Sequence, residues 1–232
     1  MALPKINAPI YDLTIPSTQQ QVTYRPFLVK EEKILLMANQ DQDDTMGMIR
    51  AMRQIINNCI LVDNFDSESL PLFDIEYIFL KLRAKSVGEL SEVGYQCPKC
   101  ESINKITVNL DEVEVTTNEE HTNQVQLNDK IGVILKYPDM YSINNTTSVE
   151  DIMKILCNCI DIIYDGDEVH NASDYDITDL IDFIDGLTQQ QFQKLQEFFE
   201  TMPKLRHPIK FNNPKTKVSN EVVLEGLQSF LG

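Results

Sequence analysis

The hydrophobic period changes repeatedly along this chain. From Lys5 to Pro26 apolar and polar residues alternate (Ile10, Leu13, Ile15, then Val22 and Tyr24), with Pro4 just before and Pro9, Pro16 and Pro26 interleaved. Alternation predicts extended chain, and proline, which cannot donate to a ladder, confines such chain to edges. Residues 1–26 are therefore expected to be an extended N-terminal arm or edge strands. Helical spacing begins at Leu28 and runs to about Ala38, with Lys30, Glu31, Glu32 and Lys33 as a charged face. After the polar stretch Asn39 to Thr45, the residues Met46, Ile49, Met52, Ile56, Cys59 and Ile60 recur at three- and four-residue steps and predict a second helix. Pro71 stands in first-turn position for a third, carrying Ile75, Ile78, Phe79 and Leu82 and ending near Lys85. Beyond Gly88 the period drops to that of a strand. Val93, Tyr95 and Cys97, a turn at Pro98-Lys99, then Ile103, Ile106, Val108 and Leu110 predict a hairpin.

The segment Thr116 to Asn123 holds no large apolar residue and is the expected domain boundary. The second half then repeats the order of the first. A strand from Ile131 to Tyr137 reaches Pro138, as the earlier one reaches Pro26, and Ser148 caps a helix with Ile152, Met153, Leu156 and Cys159 on one face. That helix ends in Cys157-Asn158-Cys159-Ile160, where the first half has Asn57-Asn58-Cys59-Ile60. An acidic loop and a helix from Asp176 to Asp185 follow. A further helix opens on Thr188 with Gln191, the pattern of a capping box, and stops at Pro203. A closing strand, Pro214-Lys215 turn and strand mirror the hairpin at Pro98-Lys99. The expected fold is α+β: two related, mainly helical lobes, residues 27–115 and 124–232, each closing with a β-hairpin, behind the extended arm.

Composition narrows the function. The 232 residues include 20 Lys+Arg against 36 Asp+Glu, a net charge of −16. A field of that sign repels phosphate backbones and anionic head groups, so neither nucleic acid nor membrane is the expected partner. No apolar run approaches the roughly 20 residues that span a bilayer, and the start lacks a signal-peptide core, which predicts synthesis in a cytosol. A nucleophile elbow, a phosphate-cradling glycine loop and a His-Glu-x-x-His helix are all missing from the sequence, so it is expected not to be an enzyme.

Of five cysteines, only Cys97 and Cys100 have a spacing that suggests chemistry. Cys-x-x-Cys on a hairpin turn is half a zinc ribbon, but a second pair must complete the tetrahedron, and Cys157 and Cys159 have the wrong spacing. A thioredoxin-like role needs the first Cys at a helix N-terminus, whereas strands flank this one. The expectation is a plain turn without cofactor, with zinc at Cys97 and Cys100 as the alternative. Charge is also polarised along the chain. Asp165, Asp167, Glu168 and Asp174 belong to an acidic run from Asp161 to Asp185, and no Lys or Arg lies between Lys154 and Lys194. Lys204, Arg206, Lys210, Lys215 and Lys217 follow in a stretch free of acids. These are the candidate partner-binding patches, satisfied internally or by a neighbouring copy.

Three blocks carry a resemblance. Tyr24-Arg25-Pro26-Phe27-Leu28-Val29-Lys30-Glu31-Glu32-Lys33, Phe73-Asp74-Ile75-Glu76-Tyr77 with Arg83-Ala84-Lys85-Ser86-Val87-Gly88, and Phe198-Phe199-Glu200-Thr201-Met202-Pro203-Lys204-Leu205-Arg206-His207 resemble the baseplate hub subunit family of T-even-like contractile-tailed bacteriophages, in the version found in phages of cyanobacteria. The likeness extends to Leu224-Glu225-Gly226-Leu227. It implies a virion tail protein, made in the host cytoplasm, whose partners are other baseplate or tail proteins and further copies of itself. The family also includes a hub assembly factor that leaves the mature particle. The resemblance transfers no catalytic residue.

Overall fold

A computed structural model describes residues 6–38, 40, 45–96, 102–140, 148–213 and 217–231. The chain forms two units, Met1–Thr116 with Lys204–Gly232, and Thr117–Pro203.

In the first unit β1 (Tyr11–Thr14) pairs antiparallel with β2 (Gln21–Tyr24), Leu13 opposite Val22. Alternation turns Leu13, Ile15, Val22 and Tyr24 inward, where all four are buried. Each such burial stabilises by roughly 1.5–3 kcal/mol. Three helices follow: α1 (Val29–Ala38), α2 (Thr45–Cys59) and α3 (Leu72–Val87). Along α3, Phe73, Asp74, Ile75, Ile78, Phe79, Leu80, Lys81, Leu82 and Ala84 are all buried. A helix buried on every side is the centre of its unit, and α3 packs against α2 and the sheet strands that follow. Pro71 is its N-cap, and Gly88 ends it at φ +141°, a conformation that strains other residues. Strands β3 (Leu90–Gln96) and β4 (Ile103–Asn109) form a hairpin, and β5 (Glu114–Thr116) enters a second sheet.

The second unit is built on one antiparallel sheet in the order β6-β7-β8-β9. Strand β6 (Gln124–Gln126) turns at Asn128, whose side-chain oxygen accepts from the Lys130 and Ile131 N–H groups at 2.9 and 2.8 Å. Strand β7 (Ile131–Leu135) precedes α4 (Val149–Cys159), which opens on a Ser148/Asp151 capping box. Strands β8 (Ile160–Asp165) and β9 (Glu168–Asn171) lead to α5 (Ile177–Asp185) and α6 (Gln189–Thr201). Val125, Val133, Leu135, Leu156, Ile160, Leu180, Ile184, Leu195 and Phe198 form the core under the helices.

Strand β10 (Lys204–Asn212) then returns to the first unit, pairing with β5 on one side and β11 (Ser219–Glu225) on the other. The short α7 (Gln228–Leu231) is tied to β3 where the Ser91 hydroxyl donates to the Phe230 carbonyl at 2.8 Å.

The mixed α+β class is as expected, but the architecture differs in two respects. The C-terminal hairpin does not close a second lobe over 124–232: Lys204 is the ladder partner of Thr116, so the second unit is an insertion between two paired strands. Of the arm or edge strands expected over residues 1–26, strands form within 11–24 and are built into the first core; among the described residues 6–10 precede them, with Ile6 and Ile10 at 96% and 64% exposure. The acidic stretch after Cys159 is also not a loop but the β8–β9 hairpin. One parallel between the halves is present in the backbone. The Arg25 N–H donates to the Cys59 carbonyl at 3.0 Å, and the Lys136 N–H donates to the Cys159 carbonyl at 2.7 Å. In each case a strand receives the end of a helix.

Candidate functional site

The basic patch is largely neutralised within its own hairpin. Arg206 lies opposite Glu225 and Lys210 opposite Glu221 in the β10–β11 register. Arg206 Nε donates to Glu225 at 2.7 Å, Lys204 Nζ lies 3.5 Å from the same carboxylate, and Lys210 pairs with Glu221 at 3.7 Å. Burial pushes the Glu225 carboxyl up, but the Arg206 hydrogen bond and the two cationic charges outweigh it and hold the group below its ordinary value. Lys217 is exposed at φ +57° beyond the turn. Lys215 lies outside the described residues. The neutralising acids come from β11, just past the acid-free stretch, so the linear sequence overstates this patch.

Among the described residues the acidic patch has no such partner strand. Asp165, Asp167, Glu168 and Asp174 are exposed, as are Asp161, Asp176, Asp179, Asp182 and Asp185. The β8–β9 hairpin explains their placement. It turns at Gly166 and Asp167, with Gly166 at φ +61°, so that Asp165 faces Glu168 and Ile163 faces His170. On the other side Ile131 faces Asp165. The two-residue pleat puts Ile131, Ile163, Asp165 and His170 on one face of the sheet, the face that also carries the buried Val133.

Helix α5 packs over this face through Leu180 and Ile184. Between them lies a groove of about 410 Å³. Ile131, Ile163, Leu180 and Phe183 give it an apolar floor, and Asp165 and Asp179 stand in its lining as carboxylates. His170 and Tyr175 complete it. His170 Nδ1 and the Tyr175 hydroxyl are hydrogen-bonded at 2.7 Å with the rings edge to face, so each fixes the other. The polar groups are carboxylates, an imidazole and a phenol, which suit cations and hydrogen-bond donors flanking an apolar side chain. The acids are legible in the sequence, whereas His170, Tyr175 and the floor are not, because no clean alternation marks β8 and β9.

Cys97 and Cys100 lie outside the described residues. The described cysteines, Cys59, Cys157 and Cys159, are free, buried thiols, and Cys59 Sγ accepts from Arg25 Nη1 at 3.6 Å. Burial pushes Cys59 up to about 11, partly offset by Arg25, and Cys159 up to about 12. Such thiols are poor nucleophiles and poor ligands. Among the described residues no group of three or more His, Cys, Asp or Glu is placed to hold a metal ion, and no helix is long and apolar enough to cross a membrane.

A model of the T4 bacteriophage base plate protein family matches residues 8–232. The chain belongs to that family. No curated protein and no solved structure matches it. In this base plate family member the three blocks that carry the resemblance contain structural knots. The first holds Arg25 and Glu31, paired at 2.9 Å, with Glu31 at 0% exposure; Glu31 is thus not part of a solvated helix face. In the second, buried Asp74 accepts from the N–H and hydroxyl of Ser17. The third supplies Phe198 and Thr201 around His121, whose ring stacks on Tyr137 and whose nitrogens bond the Thr201 and Tyr137 hydroxyls at 2.9 and 3.1 Å. His121 therefore sits in an aromatic cluster, and burial lowers its pKa.

Proposed function

We propose that this chain is a structural subunit of the hub of a phage tail baseplate, made in the host cytoplasm and acting through protein contacts without catalysis or cofactor. The family match over residues 8–232 carries this reading. It is supported by the exposed apolar arm at Ile6 and Ile10 and by the concentration of charge on one unit, features suited to oriented docking. Removing the chain from an infecting phage should stop complete baseplates from forming, seen by electron microscopy of lysates; normal tails would overturn the proposal. A hub assembly factor would give the same defect and is distinguished by its absence from finished virions. Stoichiometric zinc in the purified protein would instead favour a zinc-ribbon binding module at Cys97 and Cys100.

A further inference from the structure

Of the charge of −16, the unit Thr117–Pro203 carries −13, from four Lys or Arg against 17 Asp or Glu. The groove between α5 and the β7–β8–β9 face lies in this unit. Its floor is apolar, its rim carries carboxylates, and the neighbouring exposed acids from Asp161 to Asp185 have no Lys or Arg among them in the sequence. We infer that this groove is a docking site for a cationic segment of a partner protein, an apolar side chain seated on Ile131, Ile163, Leu180 and Phe183 with flanking Lys or Arg at Asp165 and Asp179. The inference rests on the proposed structural role only in expecting a protein partner.

Charge complementarity selects the occupant. A nucleic acid or anionic lipid surface would be repelled. A bare metal ion finds no cluster of ligands among the described residues. A second copy is disfavoured because two such units repel, and because the basic strand it would offer already holds Lys204 and Arg206 against Glu225 and Lys210 against Glu221. Strand β9 is a terminal strand of its sheet, and Tyr175, in the lining of the groove, is 44% exposed. Apolar exposure and open backbone therefore adjoin the carboxylates, which suits an extended peptide of alternating character.

The test uses the full chain with short synthetic peptides: alternating lysine and leucine, alternating lysine and serine, and alternating glutamate and leucine. Methyl NMR should show the lysine–leucine peptide shifting Ile131, Ile163 and Leu180, with affinity falling at high salt. The other two peptides should bind at least tenfold more weakly. Asp179 also accepts from the Asp176 N–H at 3.2 Å at the start of α5; Asp165→Asn with Asp179→Asn retains the shape and an amide oxygen for that bond, and should weaken the lysine–leucine peptide roughly five- to tenfold. Equal binding of the lysine–serine peptide, or unmoved groove methyls, would overturn the assignment. So would a dimer in sedimentation of the protein alone that the double variant dissolves, since that would seat another copy in the groove. These outcomes leave the baseplate reading intact, and absence from virions would leave the groove chemistry standing.

Discussion

Glu31 shows how far a single side chain can depart from its surroundings in sequence. Set among Lys30, Glu32 and Lys33, it reads as one more solvated charge, yet it accepts from Arg25 and from the Leu28 N–H at 2.9 Å each. Burial pushes its carboxyl up, but the Arg25 hydrogen bond, the Leu28 N–H and the Arg25 charge outweigh this and hold it below its ordinary value. The pair therefore stabilises the fold above the usual carboxylate range, and that contribution is lost as pH falls through the lowered folded value. Glu31→Ala leaves Arg25 uncompensated and should cost about 3 kcal/mol in urea denaturation at neutral pH. Asp74 has the opposite sign. Burial raises its pKa against the two Ser17 hydrogen bonds, so its folded form favours the proton. Its contribution is present below the unfolded carboxylate pKa and lost as pH rises through the raised folded value. The stability of the wild type relative to Asp74→Asn should accordingly improve as pH falls from neutrality toward the carboxylate range; parallel pH profiles would refute this. Neither role was legible in the sequence, because a buried charge is defined by a partner distant in the chain or hidden by the helix turn.

At the scale of elements, legibility followed the strength of the period and the caps. Helices α2, α4 and α6 and the hairpins at β3–β4 and β10–β11 show clear spacing, and the Ser148 and Thr188 capping boxes are where local residues place them. Strands β8 and β9 were hidden. Ile160, Ile162 and Ile163 occupy both faces of β8, and β9 is short and polar, so no clean alternation marks either one. The N-terminal alternation predicts the strands within 11–24 but not their place in the core. Deleting residues 2–10 should therefore leave the melting transition nearly unchanged while reducing incorporation into tails, whereas deleting 2–24 should abolish folding by removing Leu13, Ile15, Val22 and Tyr24. Thermal denaturation of the two truncations separates these cases.

For the whole molecule, the decisive feature is that the second unit enters and leaves at ladder partners, Thr116 and Lys204. A tandem division was the natural reading of two halves with similar order, since nothing in a linear pattern shows that β10 pairs with β5. An insertion of this kind predicts independent folding of both parts. Joining residue 116 to residue 204 through a two-residue turn should give a cooperatively folding first unit of net charge −3, from 16 Lys or Arg against 19 Asp or Glu, and the excised unit should retain its own transition. Loss of cooperative unfolding in both fragments would contradict the division. The split also concentrates the negative field on the unit that bears the groove, which is where an oriented neighbour is expected. The central claim, a structural subunit of the baseplate hub, is tested most directly by quantitative mass spectrometry of purified virions. The chain should be present at a fixed whole-number ratio to other baseplate proteins; its absence from intact particles would contradict the claim.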